Sequence, residues 1–381
     1  MDGVDVAVAE LLLNGDTITV LPVGHAELPY PSELRAALLD ALTPNATTVE
    51  AMCRLDNAVG QAFAEVAGHA LATIADGRAD LVVSLGQTIY HWVDGDHALG
   101  TWQLGQPAWI AEATGLPVVS DLRARDVAAG GHGAPLAGVL DRLWLADSVD
   151  TGPTAALNLG GIANITVVAP NRPVVAFDTG PGNALLDAAA RMISGGVWHQ
   201  DVDGDLAAQG TPDPELLDVL RADPYYLLEP PKTTGKEYFH REHITAALAK
   251  VGHVAGDDLL ATLVELTAST VADACRAHGV TRVVASGGGV RNPTLMAALR
   301  THLAPATLVT SDELGLPSDA KEAYLTALLG FLTWSGVPAG TAGARLLGSI
   351  TPGSGPLRLP EPATTEVARL RVKVGEPSAR T

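Results

Sequence analysis

The stretch Phe177-Asp178-Thr179-Gly180-Pro181-Gly182-Asn183 decides how this chain is read. The apolar run before it, Val174-Val175-Ala176-Phe177, has the length and composition of a buried strand. That strand ends on a carboxylate, a Gly-Pro-Gly turn follows at once, and residues 184–191 read as a helix. Glycines let backbone N–H groups approach an anion, and a helix N-terminus favours negative charge. The stretch is thus suited to hold an acid beside a phosphate. Asp before Gly also caps ordinary helices, so on its own the stretch leaves both readings open.

Working outward, three more glycine turns follow apolar runs. Gly86 follows Leu81-Val82-Val83-Ser84, Gly160-Gly161 follows Ala155-Ala156-Leu157-Asn158-Leu159, and Gly287-Gly288-Gly289 follows Arg282-Val283-Val284-Ala285-Ser286. A single turn of this kind is ordinary. Four of them favour a nucleotide site at strand ends. No G-x-x-x-x-G-K-[ST] is present, which excludes a Walker P-loop, and no G-x-G-x-x-G opens a βαβ unit, which disfavours a dinucleotide. A metal-assisted phosphotransferase of another architecture remains. Phosphoryl transfer asks mostly for positioning and charge neutralisation, with one carboxylate to orient and deprotonate the nucleophile. Asp178 is the best candidate for that general base.

Composition narrows the partners. The 381 residues suffice for two domains, and the 47% hydrophobic content is that of a globular protein. A net charge of −19 argues against nucleic acid and anionic membranes. Phosphate must therefore be held by local dipoles, a metal or a few cations. The two cysteines, Cys53 and Cys275, form no C-x-x-C and indicate neither a disulfide framework nor a zinc site. No signal peptide and no long uncharged apolar span is seen, so a cytoplasmic location is expected.

In chain order each half reads as hairpin strands, helix, strand, helix, strand, helix, which predicts an α/β fold. Asn14-Gly15 marks a first hairpin turn, residues 47–75 and 257–278 read as long helices, and residues 318–334 as another. The polar segment 147–154 is the expected boundary. The predicted layout is an N-terminal domain over 1–150, a second over 151–350, and a Pro/Gly-rich tail over 351–381 that wraps the surface. Other candidates carry bland readings too. Asp2 could hold a magnesium-bound water or be solvated. Asp201-Val202-Asp203-Gly204-Asp205 resembles half a calcium loop but lacks its Gly and Glu. Lys232 and Lys236 could reach phosphate, or lie on a solvated loop. Glu322 opens a helix, where acids are favoured anyway.

These residues together resemble the anhydro-N-acetylmuramic acid kinase family of the sugar kinase, Hsp70 and actin superfamily. The resemblance runs from Met1-Asp2-Gly3-Val4-Asp5 to about residue 350. Its signatures include Gly86-Gln87-Thr88, the run from Ala128-Ala129-Gly130-Gly131-His132-Gly133 to Leu136, and Leu157-Asn158-Leu159-Gly160-Gly161. The opening stretch, Pro230-Pro231-Lys232-Thr233-Thr234-Gly235-Lys236-Glu237, Gly287-Gly288-Gly289-Val290-Arg291-Asn292 and Lys321-Glu322-Ala323 complete them. The resemblance implies two RNase H-like domains, each a mixed five-stranded sheet with helices, and ATP in the cleft between them. It implies that ATP and water, with Mg2+, convert 1,6-anhydro-N-acetylmuramate to N-acetylmuramate 6-phosphate for peptidoglycan recycling. Asp178 matches the family's base. Asp2, Gly3, Gly160, Gly161, Gly180, Gly182, Gly287, Gly288, Gly289 and Asn292 fall on its ATP and phosphate segments. Gln87, Arg123, Asp126 and Glu322 are the expected sugar contacts, and a homodimer is suggested.

Departures accompany the match. The family carries a further strand and a Gly-Thr-Ser turn before Met-Asp-Gly-Val-Asp, so the first strand of the first sheet is expected to be missing and the natural start to lie upstream. Leu85, Gln106 and His132 stand where the family commonly has His, an acid and Gln. Two alternatives follow: another sugar kinase of the superfamily, or an ATP-binding relative with impaired turnover.

Overall fold

The computed structural model describes residues 3–95, 97–340, 343 and 345–373. Two compact units emerge, one of Met1–Trp144 with Ala320–Thr381, the other of Leu145–Asp319. The chain opens with a long antiparallel hairpin, β1 (Gly3–Asn14) and β2 (Thr17–Pro29), turned at Gly15 with φ 60°. Helices α1 (Ser32–Asp40) and α2 (Val49–Thr73) follow. In α2 the Thr48 hydroxyl caps the first turn by accepting from Ala51 N at 3.1 Å. Its buried stripe, with Met52, Leu55, Val59, Ala62 and Val66, recurs at three and four residues. Next come β3 (Val82–Val83), the hairpin β4 (Gln87–Asp94) and β5 (His97–Leu104), α3 (Pro107–Thr114), β6 (Val118–Ser120), α4 (Ala124–Ala128) and α5 (Ala137–Trp144).

The second unit opens with the meander β7 (Thr154–Leu159), β8 (Ile162–Val168) and β9 (Val175–Pro181), leading into α6 (Asn183–Ile193). Helices α7 (Pro214–Arg221), α8 (Arg241–Val251) and α9 (Gly256–Ala277) follow, then β10 (Arg282–Ser286), α10 (Pro293–Leu303) and β11 (Thr307–Thr310). The sheet order is β11-β10-β7-β8-β9. The meander is antiparallel, while β10 runs parallel to both β7 and β11. This is the mixed five-stranded, RNase H-like sheet that the resemblance implies. Central β7 is buried from Thr154 to Leu157, as a strand covered on both faces must be. One core joins Leu157, Leu159, Ile165 and Phe177 to α9 residues such as Leu260, Leu263 and Val271.

The chain then returns to the first unit with α11 (Lys321–Trp334), β12 (Ser349–Thr351) and β13 (Arg369–Val372). Expected boundaries at 150 and 350 thus give way to crossings at 144/145 and 319/320. Helix α11 packs on β1, β3 and β6 of the first unit, and its Gly330 lies against Val83 because a Cβ there would collide. Nor does the tail simply wrap the surface. β12 pairs with β6, and β13 pairs with β2 through Arg369-Leu370-Arg371-Val372, with Leu370 buried.

The first unit holds two three-stranded sheets, β1-β2-β13 and β12-β6-β3, in place of one mixed sheet. Among the described residues β1 and β3 each leave one edge unpaired. A cavity of 1260 Å³ separates them, lined by β1, by residues 81–87 and by aromatic side chains of α2 and α11.

Candidate active site

The site is built where the strands of the second unit end. The Gly160-Gly161 turn joins β7 to β8, and the Gly180-Pro181-Gly182 turn leads from β9 into α6. The two turns are bonded to each other. Gly182 N and Ala184 N donate to Gly161 O, and Asn183 N donates to Gly160 O, each at 2.9 Å. The N–H groups of Gly182, Asn183 and Ala184 are therefore satisfied by the neighbouring turn. Gly182 is a buttress: a Cβ there would strike Gly160 O and lie 3.2 Å from Ala163 N. Gly180, at φ 147°, likewise has no room for a Cβ, with Tyr226 Cε1 2.9 Å from its place. Beneath them the buried Thr267 hydroxyl of α9 donates to Pro181 O at 2.9 Å.

The third turn stacks on the first. A Cβ at Gly287 would sit 2.6 Å from Asn158 Oδ1, and one at Gly289 would sit 2.7 Å from Leu159 Cβ. Gly287 N is spent on Ser318 O at 2.8 Å, whereas Gly288 is exposed. Only glycines allow backbones this close. The side chain of Asn292 is spent as well, capping α10 by accepting from Leu295 N at 3.0 Å. Stacked glycine turns at strand ends fit a phosphate chain, and the exposed sides of Gly160, Gly161 and Gly288 are the places left for it.

Asp178 sits on β9 beside these turns, half-buried. A loop after α7 grips it. Asp178 N donates to Lys232 O at 3.0 Å, and Tyr225 Oη donates to Asp178 O at 2.7 Å. The Thr233 hydroxyl and Thr234 N both donate to Oδ2, at 3.0 and 2.9 Å. Burial pushes the Asp178 carboxyl above its ordinary range, and the Thr234 and Thr233 hydrogen bonds partly offset this. A raised but hydrogen-bonded carboxylate is the usual condition of a general base.

Lys232 does not point to phosphate. Its Nζ lies 4.7 Å over the Tyr225 ring and donates to Tyr225 O at 3.2 Å, bracing the loop. Lys236 is different: its stem lies across Gly161, with Nζ 3.1 Å from where a Cβ would be. Asp201 is no calcium ligand here, because its carboxylate accepts from Leu206 N and Ala207 N, both at 3.0 Å. Among the described residues no group of three His, Cys, Asp or Glu could hold a metal ion.

In the first unit Gln87 and Glu322 line the cavity beside β1, and the Glu322 charge acts on Arg123. Gln87 Oε1 accepts from Tyr30 Oη at 3.2 Å, and Arg123 Nη1 donates to Gly133 O at 2.8 Å. Asp126 is 0% exposed and accepts from Gly133 N at 2.9 Å. It shapes the 130–135 turn and is buried there. Gly3 starts β1 against Leu28, and Asp2 lies outside the described residues. Sequence reasoning missed Tyr225, Thr233 and Thr234. The run Pro230 to Glu237 was visible as a motif, but nothing local ties it to a carboxylate 55 residues earlier.

No helix among the described residues is long and apolar enough to cross a membrane. The profile of the anhydro-N-acetylmuramic acid kinase family matches residues 1–353. An anhydro-N-acetylmuramic acid kinase of Streptomyces coelicolor is 58% identical over 99% of this chain and 97% of its own length. One from Rhodococcus erythropolis is 51% identical over 93% and 92%. A solved ROK family glucokinase from Streptomyces griseus, in complex with glucose and AMPPNP, aligns at 14% identity and a TM-score of 0.34, covering 84% of this chain and 98% of that one. On the profile and the curated relatives, the chain belongs to the anhydro-N-acetylmuramic acid kinase family and is a phosphotransferase.

Proposed function

We propose that this enzyme uses ATP and water to open the 1,6-anhydro ring of anhydro-N-acetylmuramate and to phosphorylate O6, for peptidoglycan recycling in the cytoplasm. The observation that carries the reading is the Asp178 carboxylate, fixed through Oδ2 beside three stacked glycine turns. Hydrolytic opening of an anhydro bridge needs a base for the water and an acid for the leaving oxygen. When the leaving O6 is captured by a phosphoryl group, the acid is dispensable and one carboxylate suffices. Asp178 takes the proton of the water that attacks C1. The turns at Gly160-Gly161 and Gly287 to Gly289 receive the nucleotide. Lys236, lying across Gly161, brings positive charge to a chain of net charge −19. Mg2+ neutralises the phosphate charge when bound. Gln87, Arg123 and Glu322 are assigned to the sugar, and a homodimer remains part of the proposal.

The test is isotopic. Turnover of the anhydro sugar with Mg-ATP in 18O-labelled water should give a 6-phosphate carrying label at C1 and none on phosphorus. Label in inorganic phosphate with an intact anhydro ring would show ATP hydrolysis instead. The open cavity between β1 and β3 favours a second reading, an ATP-binding relative with impaired turnover. Nucleotide binding without product would select it.

A further inference from the structure

The proton acceptor can be specified to the atom, and this step rests on the reading of Asp178 as the base. Two donors converge on Oδ2 of Asp178, the Thr233 hydroxyl at 3.0 Å and the Thr234 N–H at 2.9 Å. Oδ1 accepts no hydrogen bond among the described residues. The backbone is pinned on both sides as well, by Lys232 O and by the Tyr225 hydroxyl. Both ends of the grip come from one short stretch, Tyr225 to Thr234, and the Lys232 ammonium seated on the Tyr225 ring holds that stretch together. A carboxylate anchored through one oxygen cannot rotate about its Cβ–Cγ bond without losing both hydrogen bonds. Its other oxygen keeps a fixed direction, as a preorganised base requires.

We propose that Thr233 is a positioning residue which, with the Thr234 N–H, ties down Oδ2 of Asp178 and leaves Oδ1 to take the proton. Thr233 does not touch the reacting atoms; it acts through Asp178. A hydroxyl donating to a carboxylate favours its charged form and so lowers its pKa. Removing that donor must raise the pKa and move the acidic limb of the pH–rate profile to higher pH, because only the carboxylate accepts a proton. A Thr233 that merely closes the loop would leave that limb in place.

The experiment compares Thr233→Val and Thr233→Ser with the parent enzyme, using Asp178→Asn as reference. Thr233 is exposed, so neither change disturbs a core. Thr233→Val should lose roughly tenfold in kcat with little change in KM, the scale of one hydrogen bond to a charged group. Its acidic limb should move up by about half to one pH unit, and Thr233→Ser should restore both. Carbon-13 NMR titration of the Asp178 carboxyl should show the same upward shift without relying on activity. An unmoved limb or carboxyl titration in Thr233→Val overturns the proposal while leaving the base reading intact. Normal turnover by Asp178→Asn overturns the base reading itself.

Discussion

Replacing Gly182 with Ala tests the stacked turns through the room left for a Cβ, because the backbones around Gly182 leave none. The new carbon would collide with Gly160 O and press on Ala163 N at 3.2 Å. Gly160 O cannot retreat cheaply, since it accepts from Asn183 N at 2.9 Å while Gly182 N holds Gly161 O. Overpacking of this kind costs about 1–3 kcal/mol. Weakening one of the turn hydrogen bonds adds about 1 kcal/mol. The expected loss is therefore about 2–4 kcal/mol, large against a typical total stability of about 5–15 kcal/mol. Two neighbours serve as controls. Ala at Gly288 meets only Arg291 Nη2 at 3.7 Å, and the atoms nearest to an Ala Cβ at Gly161 belong to the flexible Lys236 side chain. Urea unfolding of the three variants, with calorimetric titration of ATP, is the assay. Gly182→Ala should lose both stability and nucleotide affinity. Gly288→Ala should keep its stability. A Gly182→Ala protein within about 0.5 kcal/mol of the parent would refute the argument from packed backbones.

Two further outcomes are expected. The acidic limb of the kcat/KM profile should lie above the ordinary carboxylate value of about 4, because burial raises Asp178 and activity is lost as the pH falls through its pKa; a limb below that value contradicts the assignment. Lys321 Nζ and Asp141 Oδ1 form a pair at 2.7 Å with side chains 11% and 3% exposed. Lys321→Met should cost about 3–5 kcal/mol by stranding a buried charge, and adding Asp141→Leu should recover most of it, as read by thermal unfolding.

What the sequence disclosed follows from locality. Helix α2 was legible because its buried stripe repeats at helical spacing, and the β7–β8–β9 meander because its apolar runs are punctuated by glycines. Strands β12 and β13 were hidden, since three or four residues in a Pro-rich tail carry no period and are fixed by pairing with β6 and β2. Helix α11 was visible, but the unit it joins is set by packing against β1 and β3. In the site, Asp178 and its glycines were legible from a strand ending on an acid. The spent N–H groups at the start of α6 were not, because their acceptors belong to another turn. That Asp126 holds Gly133 N was not legible either, because the bond closes a turn seven residues on.

The central claim is that Asp178 removes the proton of the attacking water. The direct measurement is turnover of anhydro-N-acetylmuramate with Mg-ATP by Asp178→Asn, beside its thermal stability and ATP affinity. The account predicts a folded, nucleotide-binding protein whose turnover falls by roughly a hundredfold or more. Near-normal turnover by that variant would contradict it.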